Sequence, residues 1–172
     1  MHTPPEHLPQ PRPGHYEIDV VASRVTFRTR HMFGLGPVRG TMAIRSGAAD
    51  ITDPIASSAV EAEIETASFK TRSRPRDRAV RSAQFLNAAR FPVMTFRSES
   101  VSADGSAVRG TLTVGDVSRP VSLSVGAVTV TAQSFETTAQ ARIDRTEFGI
   151  TAMPGLAGRR LNLTLETRWL RT

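Results

Sequence analysis

The side chains with the most evident chemistry are cationic. Between Lys70 and Arg81 the chain places Lys70, Arg72, Arg74, Arg76, Arg78 and Arg81 within twelve residues, then turns apolar at Phe85, Leu86 and Phe91. Arginine grips phosphate and carboxylate through two parallel N–H bonds, so the run suits an anionic head group. Pro75 fits the first turn of a helix, where its missing N–H costs nothing. Asp77 in that turn complements the helix dipole. A helix begun there puts Arg74, Arg78, Arg81 and Phe85 near one stripe. The expectation is a short amphipathic lid. Phe85 and Leu86 tuck under the body, and Arg74, Arg78 and Arg81 either reach a head group or sit in water. Arg76 and Asp77 are expected to form an ion pair holding the insert.

Other chemistry is sparse. The chain has no cysteine, which removes disulfides, thiolate ligands and thiol nucleophiles. His2, His7 and His15 lie at or before position 15, leaving His31 alone in the body. No cluster has metal-ligand spacing, and no phosphate-cradling glycine pattern occurs. No cofactor and no metal are expected. The formal charge is +6, and Lys70 is the only lysine among 22 basic residues. The arginines spread along the whole chain and read as a composition bias. Single-strand nucleic-acid binders interleave basic residues with surface aromatics. Here Tyr16 and Trp169 are alone of their kind, so no nucleic-acid partner is expected.

The elements that must position these groups alternate with period two, as half-buried strands do. One face carries Val25, Phe27, His31, Val38, Met42 and Ile44, and then Val60 and Ile64. Beyond the basic insert it continues with Met94, Phe96, Leu112, Val114, Leu123, Val125, Phe135, Thr137, Leu163, Leu165, Thr167 and Trp169. Val101 falls out of phase with Met94 and Phe96, which implies a bulge. The opposite face carries rows of Glu and Arg that can pair across strands at a few tenths of a kcal/mol each. The chain is therefore all-β, an antiparallel barrel of about eight strands with one short helical insert. A barrel of that size has an interior just able to hold one small ligand. Gly40, Gly110, Ala62, Ala139 and Ala141 fall on the inward face; they either leave room or let the strands bend. His31 is either a satisfied core residue or a polar anchor for a ligand oxygen.

Residues 1–14 hold five prolines and no apolar stretch. They read as a flexible Pro-rich tail, with the barrel domain occupying 15–172. Neither a signal-peptide core nor a membrane-spanning run is present in the sequence, so a cytoplasmic location is expected. Transient membrane contact and a homodimer stay open.

Four blocks occur in order: "YEIDVVASRVTFRTRHMFGLGPVRGTM", "RDRAVRSAQFLNAARFPVMTFRSESV", "VRGTLTVGDVSRPVSLSV" and "IDRTEFGI". Together, from about Tyr16 to Trp169, they make the chain similar to the YceI-like family of lipocalin-like proteins. The resemblance implies an extended lipocalin-like barrel with a tunnel-like interior. It implies a long apolar ligand, such as a polyisoprenoid, an isoprenoid quinone or a similar lipid, and no catalysis. Two departures matter. Many relatives carry a signal peptide, and many have a histidine in the insert, in a pattern resembling RD-x-H-L. Here that stretch is Arg76, Asp77, Arg78, Ala79, Val80. The expected function is a carrier or store for an apolar ligand. The alternative is an enzyme acting on a lipid in the same barrel, which needs an acid–base pair or an activated nucleophile. The inward face offers it only His31 and unpartnered Thr and Ser.

Overall fold

A computed structural model of the protein describes residues 7–31, 36–154 and 157–172. It has ten strands: β1 (Gly14–Ile18), β2 (Arg24–His31), β3 (Gly36–Met42), β4 (Ile44–Ile51), β5 (Ala59–Glu65), β6 (Val93–Val101), β7 (Ala107–Val114), β8 (Val117–Val130), β9 (Ser134–Asp144) and β10 (Arg160–Arg171). One helix, α1 (Arg74–Arg81), interrupts them.

All pairings are antiparallel, and the sheet closes through β1 and β10. β1 and β2 lie end to end along one edge of β10, with Ile18 opposite Trp169 and Val25 opposite Leu165. β3 and β4 likewise follow one another, broken only at Ala43. Ten strands therefore make an eight-stranded barrel, the size at which the interior can hold a ligand. The bulge implied by Val101 is present, as a register shift between Ser98 and Ser100 on β6. The outer charges pair across strands: Arg24 with Glu166 at 2.7 Å, and Arg97 with Glu61 and Arg168 with Glu136 at 3.8 Å. These exposed pairs contribute little stability.

Two apolar clusters occupy opposite ends. Tyr16, Ala49, Ile51, Phe135 and Trp169 gather where β1 starts and β10 finishes. Met94, Val114 and Phe148 gather at the other end, joined by Leu86 from the insert. The insert is stitched to the free edge of β3, where Thr41 and Lys70 exchange backbone bonds of 2.9 and 3.0 Å.

Within the insert, Ser73 caps α1 by accepting from the Arg76 N–H. Asp77 is buried, and its Oδ1 accepts from the Thr71 N–H at 2.9 Å and the Thr71 hydroxyl at 2.6 Å. Asp77 therefore ties α1 to the strand-like segment before it rather than pairing with Arg76. The helix ends sooner than the arginine and Phe85 spacing implies, because Ser82 is already extended (φ −72°, ψ 170°). The chain then doubles back, with Leu86 N–H on the Val80 carbonyl at 2.9 Å. Phe85 thus sits on this return turn and not on the helical stripe.

Two inward glycines do not leave room. Phe27 lies opposite Gly40, and a Cβ on Gly40 would overlap its ring and stand 2.5 Å from the Lys70 carbonyl oxygen. The Phe96 ring covers Gly110 in the same way, 2.6 Å from a Cβ there. Glycine here lets an aromatic side chain fold flat onto the neighbouring strand, a close approach of the kind glycine marks in strands.

Candidate ligand cavity

Between the two apolar clusters the barrel is hollow. One cavity of about 670 Å³ runs along it. At about 30 Å³ for a water-sized group, that is room for roughly twenty such groups. Every inward residue named as a candidate from the sequence, from Val25 to Trp169, lines this cavity, with one exception. The side chain of His31 lies outside the described residues. Leu123, Val125, Leu163 and Leu165 point inward and yet remain only part-buried. In a packed core such side chains lose nearly all contact with a solvent-sized sphere. Their residual accessibility is the signature of an internal space. Ala62, Ala139 and Ala141 also line it.

Among the described residues, three charged side chains line the cavity: Arg76, Arg145 and Asp104. Arg145 follows β9, in the turn Arg145–Phe148, and is only 8% exposed. Its Nε and Nη1 donate at 2.8 Å to the carbonyls of Gly158 and Ile150, and its Nη2 donates at 3.3 Å to that of Ala157. The guanidinium lies over the Phe85 ring, 5.5 Å from its centre. Burial lowers its pKa, and nearby Asp144 opposes that shift. Asp104 is tied up by Ser106 and Ser102, whose hydrogen bonds hold its pKa near 2.

The basic run reaches the cavity through Arg76. Arg74 and Arg78 are exposed, and neither lines the cavity. Arg81 donates Nε, at 3.1 Å, and Nη2 to the Phe69 carbonyl, and it does not line the cavity either. The face of α1 that turns inward carries Arg76, Ala79 and Val80.

Arg145 and an N-terminal stretch are among the parts of the lining that the sequence reading missed. Arg145 lies in a short polar turn, and no periodic pattern flags it. Leu8, Pro9, Gln10 and Pro11 of the N-terminal segment line the end beside Tyr16. The segment is held just after them: the Tyr16 hydroxyl donates to the Arg12 carbonyl at 2.8 Å, and Arg171 Nη2 donates to the Pro13 carbonyl at 3.0 Å. Deleting residues 1–11 keeps those two bonds and is expected to leave Tm within about 2 °C of wild type. It should speed release of an apolar dye several-fold in stopped-flow fluorescence. An unchanged release rate means that Leu8 to Pro11 do not restrain the contents.

Comparison with known proteins adds three findings. The YceI-like domain profile matches residues 16–169. Protein YceI of Escherichia coli O157:H7 is 38% identical over 114 residues, 63% of this chain and 59% of that protein. A UPF0312 protein of Enterobacter sp. (strain 638) matches over the same length at 38%, covering 58% of itself. The match thus spans somewhat under two thirds of those relatives. Among solved structures, BcnA of Burkholderia cenocepacia superposes with a TM-score of 0.74 at 19% identity, over 88% of this chain and 98% of that one. A polyisoprenoid-binding domain from Saccharophagus degradans, implicated in plant cell wall breakdown, superposes with 0.66 at 13% identity, over 94% and 100%. At these identities the structures share the fold.

Proposed function

The chain belongs to the YceI-like family, and on that premise we propose that it is a binding protein that holds a long apolar ligand inside its barrel. A polyisoprenoid, an isoprenoid quinone or a similar lipid fits this reading. The observation that carries it is the 670 Å³ apolar cavity, whose wall side chains stay part-accessible. Each buried methylene is worth roughly 0.8 kcal/mol, so fifteen of them give a gross ~12 kcal/mol. Association costs begin at about 4 kcal/mol, which leaves about 8 kcal/mol, a Kd near roughly 1 μM, and each further buried methylene tightens it. Val25, Phe27, Val38, Met42, Ile44, Val60, Ile64, Met94, Phe96, Leu112, Val114, Leu123, Val125, Phe135, Leu163, Leu165 and Trp169 are the proposed contact residues. Arg76 lines the cavity and Arg74, Arg78 and Arg81 do not, which supports Arg76 as the contact for a polar head at the helical end. A catalytic reading needs a base beside a nucleophile. Among the described residues, no imidazole or carboxylate bonds a hydroxyl in the lining. No helix among them is long and apolar enough to cross a membrane.

The test uses purified, delipidated protein and displacement of an apolar dye by geranylgeraniol. Wild type should bind it inside the barrel. The double variant Ala139→Phe, Ala141→Phe fills the cavity from β9 and should bind at least about tenfold more weakly, with unchanged circular dichroism. Equal binding by the filled variant would move the site to the surface and end the carrier reading.

A further inference from the structure

Just inside the end of the apolar cavity marked by Phe135 and Trp169 sits a polar pair. Thr137 on β9 and Thr167 on β10 face one another directly, with their hydroxyl oxygens 2.7 Å apart. Both line the cavity. The indole N–H of Trp169 donates to the Thr167 hydroxyl at 2.9 Å.

The hydrogen-bond accounting leaves one donor over. Two hydroxyls carry two O–H donors and four lone pairs. One O–H serves the bond between them, and the indole N–H occupies a lone pair. Whichever way the pair points, one O–H remains, and among the described residues neither hydroxyl has a further partner. Several other polar groups of the lining are committed, and Arg76 faces the space from the helical end with one bond, its Nη1 donating to the Thr71 hydroxyl at 3.3 Å. The Thr29 hydroxyl donates to the Arg160 carbonyl, the Ser58 hydroxyl accepts from the Thr52 N–H, and Arg145 is spent on three carbonyls. A donor facing an apolar space calls for an acceptor, because an unmet buried polar group is costly.

The surroundings narrow the acceptor's chemistry. One step along the strands, Phe135 and Trp169 stack at 5.9 Å and 13°, making a flat aromatic wall. On the other side is the short side chain of Ala139, opposite Leu165. Arg145 lies eight residues further along the chain from Thr137, roughly 26 Å at strand rise, too far to neutralise an anion beside the pair. Resting on the carrier reading above, we infer that Thr137 and Thr167 are a specificity site for a neutral carbonyl oxygen carried by the ligand. The ligand class is then a long-chain ketone, quinone, amide or ester rather than a bare hydrocarbon or an anion.

The experiment compares a saturated long-chain methyl ketone with the straight-chain hydrocarbon of equal length, by dye displacement and by Trp169 emission. It also records the infrared carbonyl stretch of the bound ketone. Wild type should prefer the ketone about three- to tenfold, the worth of one neutral hydrogen bond, with the stretch shifted to lower frequency. Thr137→Val with Thr167→Val should equalise the two probes by weakening only the ketone, and should return the stretch to its apolar-solvent position. Thr137→Ser with Thr167→Ser keeps both hydroxyls and should retain preference and shift. A double valine variant that still prefers the ketone, or a wild type with neither preference nor shift, overturns the inference and leaves the carrier reading standing. If neither probe enters wild type, the carrier reading falls and takes the inference with it.

Discussion

Gly40→Ala is expected to destabilise the barrel by about 3 kcal/mol, the upper part of the range for overpacking. The added methyl would overlap the Phe27 ring and stand 2.5 Å from the Lys70 carbonyl oxygen. A ring can rotate away; a backbone carbonyl held by the Thr41 N–H at 2.9 Å cannot move without breaking the stitch between β3 and the insert. At roughly 2–4 °C per kcal/mol for a chain of this length, Tm should fall by about 6–12 °C. Gly126→Ala is the control, since the nearest atom its Cβ would meet is 3.8 Å away. That change should be neutral, within about 0.5 kcal/mol. A cycle with Phe27→Ala separates the two obstacles. If removing the ring fully restores Gly40→Ala to the stability of Phe27→Ala, the Lys70 carbonyl is not a constraint and the stitch is softer than the geometry indicates.

The Gly40 position also marks where reading the chain stops being reliable. Alternation exposes which side chains face inward, because the period of two is a property of each strand alone. That is why the described inward candidates from Val25 to Trp169 reach one space. It cannot say which inward residue fills the gap a small neighbour leaves, since that depends on cross-strand register. Gly40 and Gly110 read either as room or as points where the strands bend, and aromatic rings cover them; Ala139 and Ala141 read the same way and do line the cavity. β4 was hidden for a related reason. A register shift between Ile44 and Ser46 breaks the alternation, so Ala49 and Ile51 fall out of phase with Ile44. The basic run announced a helix correctly, through Pro75 and Asp77. Its length depended on Ser82 leaving helical backbone, and no residue type there demands a stop. Which face of that helix turns inward depends on how it docks, with Asp77 held by Thr71, and the docked face presents Arg76 to the cavity.

Arg145 carried no periodic signal and yet holds one wall of the site. Its guanidinium donates to the carbonyls of Ile150, Ala157 and Gly158, three points on one loop that lines the cavity. Bonds from a charged donor are worth about 1.5–3 kcal/mol each, and desolvation of the guanidinium offsets part of that sum. Arg145→Met keeps most of the side-chain volume and leaves the three carbonyls without their donor. The expected loss is about 3 kcal/mol net, seen as a drop in Tm of about 6–12 °C. Arg145→Lys should recover little, because an ammonium on a flexible stem cannot present the fixed fork that spans three carbonyls. Both variants should also release an apolar dye faster than wild type, as the loop bearing Ile150, Met153, Ala157 and Gly158 loses its anchor beside Phe85. Thermal unfolding and dye-release kinetics on the same samples distinguish the two consequences. Full recovery of Tm by lysine would show that charge alone suffices at this position. Recovery of Tm with dye release still fast would separate the loop's stability from its closure. Loss of both in each variant ties the stability of the barrel end to the retention of whatever the barrel holds.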